Sequence, residues 1–465
     1  MVVAVRAAST TTLDLTPVVR RTTPTTPLAP VLGTSALSMG DTLRLQPQSA
    51  AKAVIDRAAQ ICSKTLDGNV WDITVQGKPK HYKVILTGTG KFDALWTRDG
   101  MFSCMGLMAS GRMAPVKDTL TCLLDHQFDD GYITRRIGPD ATEVNTVLQV
   151  FGIHRKRKHN FKMVDRANSS WWTKSPVIPP DGCLLVPVVM AEYVQRSGDQ
   201  AFLAANWTKL QKAMAWIQTQ VKDGLVVQTP VSDWKDIVNR GKVTLYNQAI
   251  YFKTLHSMAD MADRMGDPAQ ASVYREMATA LTKRVHDAYW DDQNGYFRDS
   301  ETYAGFSSDS NLLAVGMGLA SKAEAERVFQ KCDELMRLHG PILPANEKPY
   351  PKNFMPLAPR LFGMQHYHDT MEWPWLTCMY SIAATRMGDT VRAERALAAV
   401  ASVYAQNGGV HEIYEGTPPK PVHKLFYKAE TGFSWASGTF LQAKAELEAA
   451  RRQSRPAVAV SLTGD

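Results

Sequence analysis

No run of 18 or more apolar residues occurs in this chain of 465, which excludes a membrane-spanning helix and points to a soluble protein without a membrane partner. Its six cysteines, Cys62, Cys104, Cys122, Cys183, Cys332 and Cys378, show no CxxC or other metal-type spacing. Most sit in apolar helical patterns and read as buried free thiols in a reducing compartment. Neither GxGxxG nor the Walker pattern is present, since LTGTGKF at 86–92 lacks both the Walker spacing and its Ser or Thr. There is no GxSxG elbow to mark a serine hydrolase. Charge of one sign is also modest. The net charge is +8, and its densest patch, HRKRKH from His154 to His159, has only Phe161 and the Trp171-Trp172 pair nearby. A nucleic-acid site interleaves more aromatics than that, so the patch reads as a solvated loop or helix end.

What is there is ordinary globular material: 45% hydrophobic, 21% charged and 9% aromatic residues, enough for one large domain or two. Residues 1–50 stand apart, with 14 Ser or Thr, four Arg and two acids, and no sustained helical period. That composition fits a disordered extension or an organellar transit peptide. No apolar stretch follows Arg20-Arg21, so a secretory signal is not expected, and the sequons at Asn168 and Asn206 read as silent. The expected organisation is an extension over 1–48, a catalytic domain over 49–452 and a tail over 453–465. The expected location is the cytoplasm, or an organelle if the extension directs import.

Beyond the extension, amphipathic periods predict helices near 50–64, 98–111, 114–127, 142–151, 183–196, 200–223, 245–265, 268–288, 308–318, 322–338, 371–387, 390–405 and 433–452. No convincing set of strands competes, only short extended pieces near 82–87 and 225–228. One punctuation recurs: QRSGD ending at Asp199, DRMGD at Asp267 and TRMGD at Asp389. Each combines a basic last turn, a glycine suited to a left-handed backbone and an Asp able to cap the next helix. They lie 68 and 122 residues apart, close to one and two units of a helical hairpin. Six such hairpins close into an all-α toroid, an (α/α)6 barrel. An open solenoid would repeat along its full length, and these units share only the turn. Tight turns within hairpins leave the long aromatic loops between hairpins at one end of the barrel, where a site belongs.

Four loops carry candidate chemistry. In DALWTRDGMF, Trp96, Arg98 and Asp99 offer a ring, a cation and a hydroxyl acceptor, although Asp99 at a helix start could equally be a cap. In SDWKD, Asp233 and Asp236 flank Trp234 on one face of a turn, so their mutual repulsion beside an indole would raise one pKa. Tyr246 and Asn247 open the following helix at the same end. HYHDTMEWPW sets His366, His368, Asp369 and Glu372 before Trp373 and Trp375; these are metal-ligand types, but the spacing completes no metal motif, and sugar contact is the stronger reading. In GGVHEIYEGTPPKPVHKLFYKAETGFSW, Glu412 and Glu415 flank Tyr414, Glu430 is a third acid, and Trp435 closes the segment. Paired acids among aromatics are what glycosidic hydrolysis requires: a proton donor and a base on opposite sides of a stacked sugar.

These segments, in this order, resemble the six-hairpin glycoside hydrolases, above all the amylo-α-1,6-glucosidase (glycogen debranching) domain and the alkaline/neutral invertases. The resemblance runs over roughly residues 50–450, through WTRDGMF, SDWKD with TLYNQAIYF, YHDTMEWPW, and HEIYEG with FSWASG. It implies that Asp236 is the general acid, Glu412 the general base, and Trp96, Arg98 and Asp99 sugar contacts. It also implies inversion at a terminal α-linked glucosyl unit of a small oligosaccharide or glucoside, with no metal or organic cofactor. The chain departs from debranching sequences at His368-Asp369-Thr370, and invertases differ around both acids. A sucrose-cleaving invertase and a non-catalytic carbohydrate-binding toroid are therefore the alternatives. For an anionic substrate such as a glycosyl glycerate, Arg135, Arg136 and Lys424 are the candidate partners.

Overall fold

The computed structural model describes residues 48–139, 159–167, 177–424 and 427–454. The N-terminal extension, the helix expected at 142–151, the basic patch up to Lys158, the sequon at Asn168 and the tail beyond 454 lie outside the described residues. All twelve remaining expected helices are present. In chain order they are α1 (Gln48–Asn69), α2 (Thr97–Ala109), α3 (Met113–Asp125), α4 (Asp181–Ser197), α5 (Gln200–Thr219), α6 (Leu245–Arg264), α7 (Pro268–Tyr289), α8 (Ser308–Gly316) and α9 (Lys322–His339), then, after a short additional helix α10 (Leu357–Leu361), α11 (Pro374–Arg386), α12 (Thr390–Gln406) and α13 (Ser434–Gln453).

Six helices form an inner ring: α2 packs on α4, α4 on α6, α6 on α8, α8 on α11, α11 on α13, and α13 returns to α2. The ring is therefore closed, as a solenoid would not be. Its closing contact is between backbones, because a Cβ on Gly106 would stand 2.3 Å from the Gly438 carbonyl. Outside this ring α3, α5, α7, α9 and α12 each follow an inner helix and pack back on it, and α1 covers α12 and α13. The inner helices are buried on nearly every face; α8 and the first turns of α13 have no exposed residue, and in α11 only the last one, Arg386, is exposed. A helix enclosed on all sides needs no polar stripe. All six cysteines are free and buried. No described helix is long and apolar enough to cross a membrane.

The hairpin turns are built as their sequence suggests. Gly198, Gly266 and Gly388 adopt φ of 70°, 78° and 89°, and the next residue caps the outer helix: Asp199 accepts from Phe202 N–H, Asp267 from Gln270 N–H and Asp389 from Arg392 N–H. Helix α11 starts later than its period suggested, at Pro374, whose missing amide costs nothing at the first helical position. Glu372 and Trp373 therefore belong to the preceding loop. Strands are more numerous than expected but short. They are ladders within loops, the longest being Val70–Val75 against Lys78–Ile85, while Leu225–Val226 pairs with Val221–Lys222.

Candidate active site

The inner helices all begin at the loop end of the barrel, and none has a side-chain cap there: their N-cap residues are Trp96, Pro180, Thr244, Ser307, Trp373 and Phe433. Loops from elsewhere in the chain satisfy the first amides instead. Thr97 N–H donates to Arg135 C=O, Leu245 to Asp299, Ser308 to Ala345 and Ser434 to Thr87. Six uncapped N-termini give this end a positive potential that favours acids. Acids collect there.

A narrow cleft lies at this end, lined by Trp96, Arg98, Asp99, Arg135, Val177, Pro179, Asp181, Val231, Asp233 and Asp236. Arg98 and Asp181, from the first turns of α2 and α4, form an ion pair across it. Arg135 lies over the Trp96 ring at 4.8 Å, with Asp165 at 3.7 Å, and its buried Nε has no partner among the described residues. Val231 on the cleft wall holds φ 58°, an unusual conformation for a β-branched residue and a local store of strain.

The two acids of SDWKD have opposite fates. Asp233 is buried in a network: Arg240 Nε donates to it at 3.0 Å and Gln228 Nε2 at 2.9 Å. Asn247 donates in turn to Gln228. Arg240 also reaches Asp299 at 2.5 Å, and Lys235 bonds Asp309 at 2.9 Å, Ser307 at 2.7 Å and Asn346 at 2.7 Å. Trp234 closes the set by donating to Asp309 at 2.6 Å. Its two cations and three carboxylates pin the loop from beneath. Asp236 takes no part in it. Burial pushes its pKa up to about 6, against the pull of Arg98 and Arg135, and Asp233 contributes less than any of these. The expected cause, repulsion from Asp233, is thus a minor one, because Arg240 neutralises that neighbour. Burial likewise pushes Asp99 to about 7, opposed by Arg98 and reinforced by Asp236 and Asp181.

Glu412 is 1% exposed and its two oxygens differ. Oε2 accepts from Tyr427 OH at 2.6 Å, Glu430 N–H at 3.0 Å and Lys91 Nζ at 2.9 Å. Oε1 accepts from Tyr367 OH alone among the described residues, which leaves it a free lone pair. The charges of both Glu412 and Asp236 act on that Tyr367 hydroxyl, so the tyrosine stands by both acids. Glu430, the competing acid, is engaged by the backbone amides of Thr89, Gly90 and Lys91.

Several other candidates are placed elsewhere than expected. Trp375 has no exposed surface; it stacks on Trp435 at 4.6 Å, which stacks on Phe102 at 4.9 Å. Trp234 meets Trp373, Trp375, Trp435 and His368 edge-on. These rings form a packed floor with their faces turned to one another, and among the described tryptophans it is Trp96 that lines the cleft. Asp369 accepts from Tyr350 N–H at 3.1 Å and pairs with His366 at 3.1 Å, holding its loop rather than pointing to the cleft. Glu415 pairs with Lys424 at the surface, which occupies the lysine considered for an anionic substrate. Glu372 is buried, with burial and then Glu415 raising its pKa to about 8. Burial, with Lys235 and Arg240 behind it, keeps His368 neutral. Tyr246 lies fully buried, its hydroxyl unpartnered among the described residues and within the field of Asp181 and Arg98. Asp181, Lys91, Tyr367 and Tyr427 were not singled out from sequence. A lysine in a Gly-rich loop is the one signal of them that the sequence offers.

Residues 165–344 match the family model described as the bacterial alpha-L-rhamnosidase 6 hairpin glycosidase domain. N,N'-diacetylchitobiose phosphorylase of Vibrio proteolyticus is 24% identical over 247 residues, 47% of this chain and 30% of that protein, so the chain matches less than a third of its length. The GH63 mannosylglycerate hydrolase from Thermus thermophilus, solved with Tris and D-glycerate, superposes with TM-score 0.58 at 15% identity over 83% of this chain and 99% of that one. A rhamnosidase from Klebsiella oxytoca with rhamnose bound gives 0.57 at 14%, over 85% and 64%. The chain has the (α/α)6 fold of the six-hairpin glycosidases.

Proposed function

We propose that this protein is an inverting glycoside hydrolase that removes a terminal α-linked glucosyl unit, with Asp236 as general acid and Glu412 as general base. One observation carries the reading: in the SDWKD loop, Asp233 and Lys235 are held by the buried network, while Asp236 faces the cleft without an ion-pair partner among the described residues, its pKa near 6. A carboxyl in that range holds a proton close to neutrality and can deliver it to the departing oxygen. On this reading Glu412, whose Oε1 retains a lone pair, takes the proton of an attacking water. The bond from the anomeric carbon to the leaving oxygen breaks as the bond to water forms, and inversion follows from attack on the opposite face. Arg98 and Asp99 suit sugar hydroxyls, and Trp96 the apolar face of the ring.

Arg135 favours a second reading of the leaving group. Its Nε is buried at the cleft without a partner among the described residues, so an acidic aglycone such as a glycerate would complete it. The mannosylglycerate hydrolase likeness is consistent with this. Sucrose hydrolysis and non-catalytic sugar binding remain the alternatives. A substrate panel of sucrose, isomaltose, maltose, trehalose and glucosylglycerate, followed by NMR from the first turnovers, separates them. Release of β-glucose from an α-glucoside supports the proposal. Release of α-glucose, or no hydrolysis of any member, overturns it.

A further inference from the structure

The Gly-rich loop that fits no nucleotide motif has a different occupant. Glu430 Oε1 accepts from Thr89 N–H at 3.0 Å and Gly90 N–H at 2.5 Å, and Oε2 from Lys91 N–H at 3.1 Å, so three successive amides wrap one carboxylate. The fit is close: a Cβ on Gly88 would stand 2.7 Å from Glu430 Oε1. Held in this way, Lys91 turns its ammonium inward. Nζ donates to Lys428 C=O at 2.9 Å, lies 3.6 Å from the centre of the Tyr427 ring, and meets Glu412 Oε2 at 2.9 Å. Both side chains are almost completely buried, Lys91 at 3% and Glu412 at 1% exposure.

The groups facing Glu412 are Lys91, the Tyr367 and Tyr427 hydroxyls and Glu430, with Asp236 beyond Tyr367. The tyrosines and the Glu430 amide are neutral donors, and Glu430 and Asp236 are acids. Among the described residues, Lys91 is thus the single cation in contact with the buried carboxylate. A carboxylate so enclosed takes up a proton unless a counter-charge is fixed beside it.

We infer that Lys91, aimed by the 88–91 loop around Glu430, is a positioning residue for the reaction's base: it keeps Glu412 in its charged, proton-accepting form and fixes Oε2 so that Oε1 faces the water. This rests on the proposed role of Glu412. Both oxygens of the base are thereby assigned, one to the protein and one to the substrate water.

The test is the pH dependence of kcat/KM for the wild type, Lys91→Gln and Lys91→Arg, with Glu412→Gln as reference. Lys91→Gln keeps a hydrogen-bond donor and removes the charge. It is expected to move the acid limb upward by about one pH unit or more, leave the basic limb in place and lower the plateau about 10- to 100-fold. Lys91→Arg should restore the limb toward its wild-type position. An acid limb unmoved in Lys91→Gln, or an equal loss at every pH that Arg does not rescue, overturns the inference. If Lys91→Gln does not fold, Gly88→Ala carries the test, since displacing Glu430 withdraws Lys91 and must move the same limb the same way. A Glu412→Gln enzyme that remains active removes the base assignment itself, a result distinguishable from an inactive Glu412→Gln with an unmoved limb in the Lys91 variant.

Discussion

The two ends of the barrel are built by opposite rules. At the turn end, four outer helices are capped within three residues by Asp199, Asp267, Ser321 and Asp389, and the glycines before the three aspartates take up the left-handed backbone. At the loop end, inner helices have no side-chain cap, and their first amides bond to carbonyls that reach them from distant loops, as Ser434 does from Thr87. Local satisfaction makes the first end self-sufficient and chemically inert. Long-range satisfaction leaves the second end free to hold acids, with helix N-termini favouring their charge and burial opposing it. Buried, strained and partly uncompensated groups gather there, as expected of a site that gives up stability for function.

The contrast can be broken at its strongest point first. Glu412→Gln is expected to lower kcat by about 10³-fold or more at the optimum, with a loss of Tm set by the Lys91 ammonium that it leaves buried without its counter-charge. Steady-state kinetics beside a thermal melt checks both halves. Removing the support beneath the loop should act on stability instead: Arg240→Met leaves Asp233 and Asp299 buried without their cation, at a cost of about 3–5 kcal/mol read by denaturant unfolding.

Proton linkage gives an intermediate effect. Asp99 and Asp236 have folded-state pKa values, about 7 and about 6, above the ordinary 3.8. Their contribution to stability is therefore fully present below pH ~4 and is lost as the pH rises through 6 to 7. Asp99→Asn should flatten that decline and raise stability at pH 8 by on the order of 1–2 kcal/mol, discounted for the lost attraction to Arg98. The same ionisation sets the basic limb of kcat/KM, which should fall above pH 6–7 in the wild type. The smallest effect belongs to the turn end. Asp389→Ala removes one cap, costs about 0.5–2 kcal/mol, and leaves kcat/KM unchanged.

This contrast also explains which features are legible in the sequence. The hairpin count, the turns at Asp199, Asp267 and Asp389 and twelve of the thirteen described helices depend on neighbours three or four residues away, so period and punctuation reveal them. The division between Asp233 and Asp236 does not. It depends on Arg240, seven residues on, and on Asp299 and Asp309, which arrive from a later hairpin. Likewise, Lys91 meets Glu412 across 321 residues of chain. The aromatic residues misled for a related reason: Trp375 and Trp435 suit a sugar face, but the closed ring turns them on each other, and a local pattern carries no sign of ring closure.

The most direct measurement compares Asp236→Asn with Asp233→Asn, recording kcat/KM and Tm for each. If Asp236 is the acid and Asp233 its anchor, Asp236→Asn loses about 10³-fold or more in kcat/KM with Tm unchanged or raised, whereas Asp233→Asn lowers Tm by several degrees. An Asp236→Asn enzyme that keeps its activity, or that loses activity and Tm together, would contradict the account.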